Sequence, residues 1–285
     1  MYIGVNSEIY ARYPLPLRAK KIREHGFNAI DFGGFVHTET PFFAQEEAAF
    51  HKELALIRET YEKEGITLFQ THGPWRHPAK DFTPEDRAER LAAMKKSVRG
   101  TATLGAKFCV IHSIMPFGTN TEENPEEFFR LNREHFLALC EEGEKFGVTV
   151  CLENMPFTRL PFAHIRDITA FVRSLGSEHF RVCLDTGHTV FFDNADPKGP
   201  AEGIRLAGEL LATLHVHDND GKSDQHNVPG SGILDWSAFS AALRESGYDG
   251  SLSLELHAPQ GDDAAFDAEC RRAAEVAHAI AEGRI

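Results

Sequence analysis

The sequence predicts a single-domain (β/α)8 TIM barrel over residues 1–285, on three observations. Eight short runs rich in apolar, β-branched or aromatic residues begin 27 to 41 residues apart, and segments of helical periodicity fill the intervals. No linker, low-complexity tract or charge block interrupts the series. Strands alternating with helices imply a parallel sheet with right-handed crossovers, and eight such units close naturally into a barrel of about 250 residues. An open six-stranded sheet with a small second domain is the alternative if two of the runs are not strands.

The expected strands are 2–5, 29–32, 67–70, 108–111, 149–152, 181–184, 213–216 and 251–254. The clearest helices are the stretches EDRAERLAAMKKSVRGTATLG and EEFFRLNREHFLALCEEGEKFG. The second sets Phe128, Leu131, Phe136, Leu137 and Cys140 on one stripe opposite charged residues, with Gly143 and Gly147 near its end. A final amphipathic helix is expected from GDDAAFDAECRRAAEVAHAIAEG, its Ala-rich face set against the barrel or available to a homo-oligomer interface.

Composition narrows the function. At 42% apolar and 26% charged residues the chain is an ordinary globular protein, which excludes disorder and collagen-like repeats. Its 30 basic and 43 acidic residues leave a net charge of −13, which disfavours a nucleic-acid partner. Five cysteines (Cys109, Cys140, Cys151, Cys183, Cys270) without CxxC spacing suit a reducing compartment. With no signal-peptide pattern and no membrane-length apolar run, the expectation is a cytoplasmic protein with no membrane partner.

In a barrel the C-terminal strand ends converge on one mouth. Here those ends carry Thr71-His72, His112, Glu153-Asn154, Asp185-Thr186-Gly187-His188, His215-Val216-His217-Asp218 and Glu255. One such residue is weak evidence, since most buried strands end on something polar; six consecutive strands doing so is different. Glu153, Asp185, His217 and Glu255 would form a mostly oxygen-donor pocket suited to one divalent metal ion, Mn, Co, Mg or Zn. A buried ion-pair network is the bland alternative, but no Lys or Arg stands at neighbouring strand ends to neutralise three carboxylates. Because side chains at i and i+2 share a strand face, His215 and His217 point the same way.

LEN at 152–154, LDTGH at 184–188, HVHDNDGKSDQHNVPGSGILDW at 215–236 and LEL at 254–256 resemble the xylose isomerase-like superfamily of sugar isomerases and epimerases, which also contains endonuclease IV. The resemblance spans nearly the whole barrel, with motifs at matching strand ends in matching order. It implies a mononuclear site of Glu153, Asp185, His217 and Glu255, with His188 near the substrate. His217 is preferred over His215 because the ligand histidine of the relatives precedes a similar polar turn.

Two chemistries compete within that resemblance. In ketose 3-epimerases and related isomerases, the metal binds vicinal oxygens of an open-chain sugar and acidifies the C–H beside the carbonyl by stabilising the enediolate. Glu153 and Glu255 would then be the catalytic pair, exchanging the proton as base and acid. The rival is endonuclease IV-type phosphodiester hydrolysis with three zinc ions, for which His72, His112, His188, Asp224 and His226 would be the additional ligands. Against it stand the seven-residue step from His217 to Asp224, Gly187 in place of a cysteine, and the negative charge. A dehydratase of a keto-sugar or inosose could use the same metal and base, and a non-catalytic barrel with a structural ion is the reading outside enzymology.

Under the sugar reading His188, His72, His112, Trp75, Asp224 and His226 are the candidate substrate-binding residues. Trp75 could stack on a sugar face and Arg76 hold a phosphate or carboxylate, or both could merely pack the rim. Phe35, Phe117 and Phe157 could wall the mouth, although most of the 22 phenylalanines must be core. Glu8 and Asp31 could bind hydroxyls or neighbouring loop backbone. Lys222, Arg159 and Arg166 are the only cations near the site, and the amides of PGSG at 229–232 could cradle a phosphate, or form a plain turn into a helix capped near Asp235.

Overall fold

The computed structural model describes residues 1–120, 124–190 and 198–285. Eight parallel strands form the sheet: β1 Tyr2–Asn6, β2 Ala29–Phe32, β3 Thr67–His72, β4 Phe108–Ile111, β5 Thr149–Glu153, β6 Phe180–Asp185, β7 Leu211–His215 and β8 Ser251–Leu254. Their order is β7-β6-β5-β4-β3-β2-β1-β8, each paired in parallel with the next. The ring closes between β7 and β8 at one bridge, Val216 with Leu254. There the Val216 N–H donates to the Ser253 carbonyl at 2.8 Å and the Glu255 N–H to the Val216 carbonyl at 3.2 Å. At the opposite end of this seam the Tyr248 hydroxyl lies 3.3 Å from the Ala212 carbonyl and 3.0 Å from that of Ser251, and accepts the Ser251 N–H at 3.1 Å. The molecule is a (β/α)8 TIM barrel.

Helices α1 Leu15–His25, α2 Glu47–Lys63, α3 Pro84–Thr103, α4 Pro125–Phe146, α5 Ile165–Leu175, α6 Gly199–Ala207, α7 Trp236–Ser246 and α8 Asp263–Glu282 surround the sheet. Thr83 and Asp86 form a reciprocal capping box at the start of α3, and Asp235 caps α7 by accepting the Ala238 N–H. On α4 the buried stripe is Phe128, Asn132, His135, Phe136, Leu139, Cys140 and Gly143, whereas Leu137 is exposed, contrary to expectation. Leu137 lies about 100° around the helix from Phe136, and Leu139 takes its place. The Ala-rich face of α8 is buried against the barrel through Phe266, Cys270, Ala273, Ala274, Ala277 and Ile280. None of the described helices is long and apolar enough to cross a membrane.

Strand alternation splits the core in two. Cys109, Ile111, Val150, Leu152, Val182 and Leu184 pack outward with the helices, while Val110, Cys151 and Cys183 form a separate cluster in the lumen. All five cysteines are free and buried. Two residues further along, on the same lumen face, come His112, Glu153 and Asp185. The pleat that buries three small residues in the barrel therefore delivers three titratable ones to its mouth.

Candidate metal centre at the barrel mouth

One ligand atom each from Glu153, Asp185, His215 and Glu255 lies within 4.8 Å of all the others. A second such group is His188, His217, Asp224 and His226, and a third is His72, Glu153 and His215. Every residue singled out as a ligand candidate in the sequence thus stands at the mouth or against one that does. His112 Nε2 is 2.8 Å from Glu153 Oε2, and His72 Nε2 is 3.5 Å from the same oxygen. His215 Nδ1 is 3.1 Å from Glu153 Oε1 and 3.5 Å from Glu255 Oε2. His217 Nε2 is 3.0 Å from Asp185 Oδ1 and 3.8 Å from Asp224 Oδ1.

The two histidines of HxH, equivalent in periodicity, differ in their surroundings. His215 is anchored from behind: its Nε2 lies 2.8 Å from Asp31 Oδ2, which also accepts from the Gln70 side-chain amide at 2.9 Å. His217 stands further out, its ring stacked on His226 with centroids 4.0 Å apart and planes 14° from parallel. Gly187 makes room for it, since a Cβ there would fall 2.0 Å from His217 Cε1. The backbone of Asp185 is fixed by Asn154, whose side chain accepts the Asp185 N–H and donates to the Asp185 carbonyl.

Backbone carbonyls also set the tautomers. The Nδ1–H groups of His72, His188 and His226 donate to the carbonyls of Gly73, Asn154 and Glu255 at 2.8, 2.7 and 3.0 Å. In the neutral ring this leaves the Nε2 lone pair for the mouth, as a cation ligand requires. Nε2 of His188 and of His226 then meet one oxygen, Asp224 Oδ2, at 3.2 and 3.3 Å. His226 is held with φ +48°, a left-handed backbone that non-glycine residues seldom adopt.

Electrostatics are one-sided. Among the described residues, every ion-pair partner of Glu153, Asp185, Asp224 and Glu255 is a histidine. Burial pushes the Glu153 carboxyl up, but His215 and then His112 more than offset it and hold the group well below the usual carboxylate range. Burial likewise opposes charge on His226, and Asp224 with Glu255 raises that ring to about 9. Burial is the main reason the His112 pKa is lowered. The inner residues are closed off, whereas the side chains of Asp224, Glu255 and His226 remain 32%, 20% and 17% exposed and face the entrance.

Several other expectations change. Asp31 contacts neither loop backbone nor the open mouth; it is buried in the lumen behind His215. Phe35 is fully buried in a cluster with Phe32, Phe42, Phe43 and Phe50, so it does not wall the entrance. Phe157 and Phe117 are half-buried, and Trp75 is half-buried with its ring edge-on to His112 at 4.4 Å between centroids. Arg76 is already occupied by Asp81, Glu89 and the carbonyls of Lys80 and Asp86. The Gly230 and Gly232 amides of PGSG donate to Asp218, so the turn is the plain lead into the capped helix. Gln70, the last residue of the expected strand 67–70, and Asp218, the acid after HxH at its strand end, were given no role of their own in the sequence.

The chain is 27% identical over 247 residues to the D-psicose 3-epimerase of Agrobacterium fabrum, spanning 81% of this chain and 81% of that enzyme. It is 24% identical over 256 residues to the fructoselysine 3-epimerase of Shigella flexneri, spanning 87% of each. The solved structure of D-psicose 3-epimerase with D-tagatose from Clostridium cellulolyticum H10 superposes with a TM-score of 0.78 at 18% identity, covering 98% of this chain and 99% of that one, a likeness of fold. With the family pattern matched over residues 19–279 of this (β/α)8 barrel, the chain belongs to the xylose isomerase-like TIM barrel family.

Proposed function

We propose that this protein is a divalent-metal-dependent sugar isomerase or epimerase that moves a proton at the carbon beside the carbonyl of a ketose or keto-sugar, free or phosphorylated. The observation that carries the reading is the convergence of Glu153, Asp185 and Glu255 with the His215 imidazole within 4.8 Å, with His217 Nε2 joined to that group 3.0 Å from Asp185 Oδ1 and no Lys or Arg described among their partners. Epimerases among the similar proteins support the same class.

The residues fit a cation. His215 Nδ1, His217 Nδ1 and Asp224 Oδ1 are buried without a hydrogen-bond partner, and clustered carboxylates need a positive charge to be stable out of water. Glu153, Asp185, His217 and Glu255 would hold it, with His215 braced by Asp31 behind Glu153. The oxygen-rich donor set suits Mn, Co, Mg or Zn. When bound, such a cation supplies Lewis acidity that draws electron density from the carbonyl and acidifies the neighbouring C–H.

Glu153, ionised and water-excluded, takes the proton from carbon. Glu255, a fifth exposed at the entrance, returns one to the opposite face of the same carbon for epimerisation, or to the adjacent carbon for isomerisation. His188, Asp224 and His226 bind hydroxyls on the outer side, and the half-buried Trp75 ring, edge-on to His112, offers the sugar an apolar contact. Arg76 and the Gly230 and Gly232 amides are engaged within the protein and are not available to a phosphate.

A second reading is favoured by one observation: the outer group His188, His217, Asp224 and His226 is itself compact enough for a cation, and His72 with Glu153 and His215 forms a third. It gives three zinc ions and phosphodiester hydrolysis, with His72 and His112 as further ligands. A keto-sugar dehydratase is the variant in which the substrate carries a leaving group beside the reacting carbon. Metal per chain and solvent exchange decide. About one equivalent of metal, and deuterium from D2O entering D-psicose, D-fructose or D-tagatose beside the carbonyl, is the expected result. Close to three equivalents of zinc, with no exchange into any ketose, overturns the sugar reading.

A further inference from the structure

Asp218, the residue after His217, is completely buried, and its carboxylate is ringed by donors. Oδ2 accepts the backbone N–H groups of Gly230 and Gly232, both at 2.9 Å, and the indole N–H of Trp236 at 2.8 Å. Oδ1 accepts the N–H groups of Asn219 at 3.0 Å and Leu234 at 3.3 Å. Its backbone pairs with Asn227 in both directions, at 2.8 and 2.9 Å. The turn fits closely around it: a Cβ on Gly232 would lie 2.1 Å from the Asn219 carbonyl oxygen and 2.3 Å from Asp218 Oδ1. A concave array of backbone N–H groups is what proteins use to hold a small anion, and here the chain fills the array with its own carboxylate.

The loop closed by these bonds, 219–234, carries Asp224 and His226. Neither is placed by regular secondary structure, and His226 sits in a left-handed conformation that costs free energy unless its surroundings impose it. Trp236 ties the same carboxylate to the first turn of α7, while Asn219 Nδ2 on the Gly187 carbonyl and His226 Nδ1 on the Glu255 carbonyl join the loop to the barrel at separate points; Asp218 is the one side chain that gathers both ends of the loop.

We propose that Asp218 is a positioning residue: an internal anion that locks loop 219–234 and thereby holds Asp224 and His226 over the mouth against His188 and His217. The consequence for sugar binding rests on the function proposed above; the locking itself does not.

Asp218→Ala removes the carboxylate and leaves a space of formate size. The expected results on the full chain are three. Amide hydrogen exchange at Gly230, Gly232 and Leu234 accelerates by at least about tenfold while Ile30 and Val182 in the sheet stay protected. Added formate restores the protection in Asp218→Ala and not in Asp218→Asn, whose amide blocks the space. With a ketose that turns over, KM rises about tenfold or more, by a larger factor than kcat falls, and formate lowers it again. Wild-type protection in Asp218→Ala, or accelerated exchange throughout the barrel with no response to formate, overturns the proposal. Should the variant fail to fold, the wild type still decides: if its Gly230, Gly232 and Leu234 amides exchange as fast as those of an unstructured peptide of the same sequence, the nest is not made and the proposal falls. If the wild type processes no ketose, the sugar reading fails, and the exchange and formate arms continue to judge Asp218 alone.

Discussion

Gly187→Ala tests the placement of His217 with the smallest possible change. The added Cβ would sit 2.0, 2.4 and 2.7 Å from Cε1, Nδ1 and Nε2 of the ring, where ordinary contact needs about 3.5–4.0 Å. The imidazole must therefore retreat by about 1.5 Å. Retreat is obstructed, because His226 stacks on it at 4.0 Å and the His217 N–H and carbonyl are both pinned by Thr186 Oγ1. Metal–ligand distances tolerate about 0.2 Å, so a displaced ring is a lost ligand. Loss of a mere supporting partner costs about 10- to 100-fold in metal affinity, or roughly 1.4–2.7 kcal/mol, and a lost ligand costs at least that. The assay is calorimetric titration of metal-stripped protein with Mn2+ or Zn2+, alongside exchange of ketose protons in D2O. A cycle with His217→Ala isolates the cause: in that background Gly187→Ala should cost almost nothing. Wild-type affinity in Gly187→Ala, or an equal loss with and without the His217 ring, refutes the reasoning.

The proton-transfer pair should show itself in Glu153→Gln and Glu255→Gln, each slowing deuterium exchange into the ketose by about 10²–10⁴-fold, the usual worth of a general acid or base, with the fold intact by circular dichroism. Stripping the protein with a chelator should abolish exchange, and re-adding one divalent ion should restore it. Tyr248→Phe leaves the Ser251 N–H and the Ala212 carbonyl without their partner at the β7–β8 seam and should lower stability by about 1–3 kcal/mol in urea denaturation. His135, buried beside Met94, is held down to about 3 by burial and then by Arg90. Its native pKa is below the unfolded value near 6.5, so stability is complete above that value and is lost as pH falls toward about 3. Between pH 7 and pH 5 the loss is roughly 2 kcal/mol, and His135→Leu should remove that slope in urea titrations at the two pH values.

The barrel was legible because two periods coexist in the chain: every apolar run falls on a strand, and the two clear helical stretches coincide with α3 and α4. Strand ends were less so. β3 runs on to His72, β5 to Glu153 and β6 to Asp185, because the residues at the mouth are polar and a search for apolar runs stops short of them. β7 instead starts at Leu211 and ends at His215, before Val216, which pairs only across the seam. The strand-end pattern pointed to residues that the fold does gather at one mouth. It could not separate His215 from His217, since periodicity places both on the lumen face; what distinguishes them is Asp31, 184 positions away in sequence. Asp218 was hidden for the same reason, its five donors being backbone and indole groups whose convergence exists only once the loop is folded.

The ring of strands has one thin joint. β7 and β8 meet through two backbone hydrogen bonds above and a tyrosine hydroxyl below, while every other neighbouring pair shares a ladder of three or four registered residues. His217 and Glu255 flank this joint, one on either lip. A ligand gripping both lips acts as a clasp, adding its binding free energy where the ring has fewest bonds of its own. Loaded and stripped protein should accordingly differ most in the breathing of this one edge, and the Ser253–Val216–Glu255 amides are where that difference would be read.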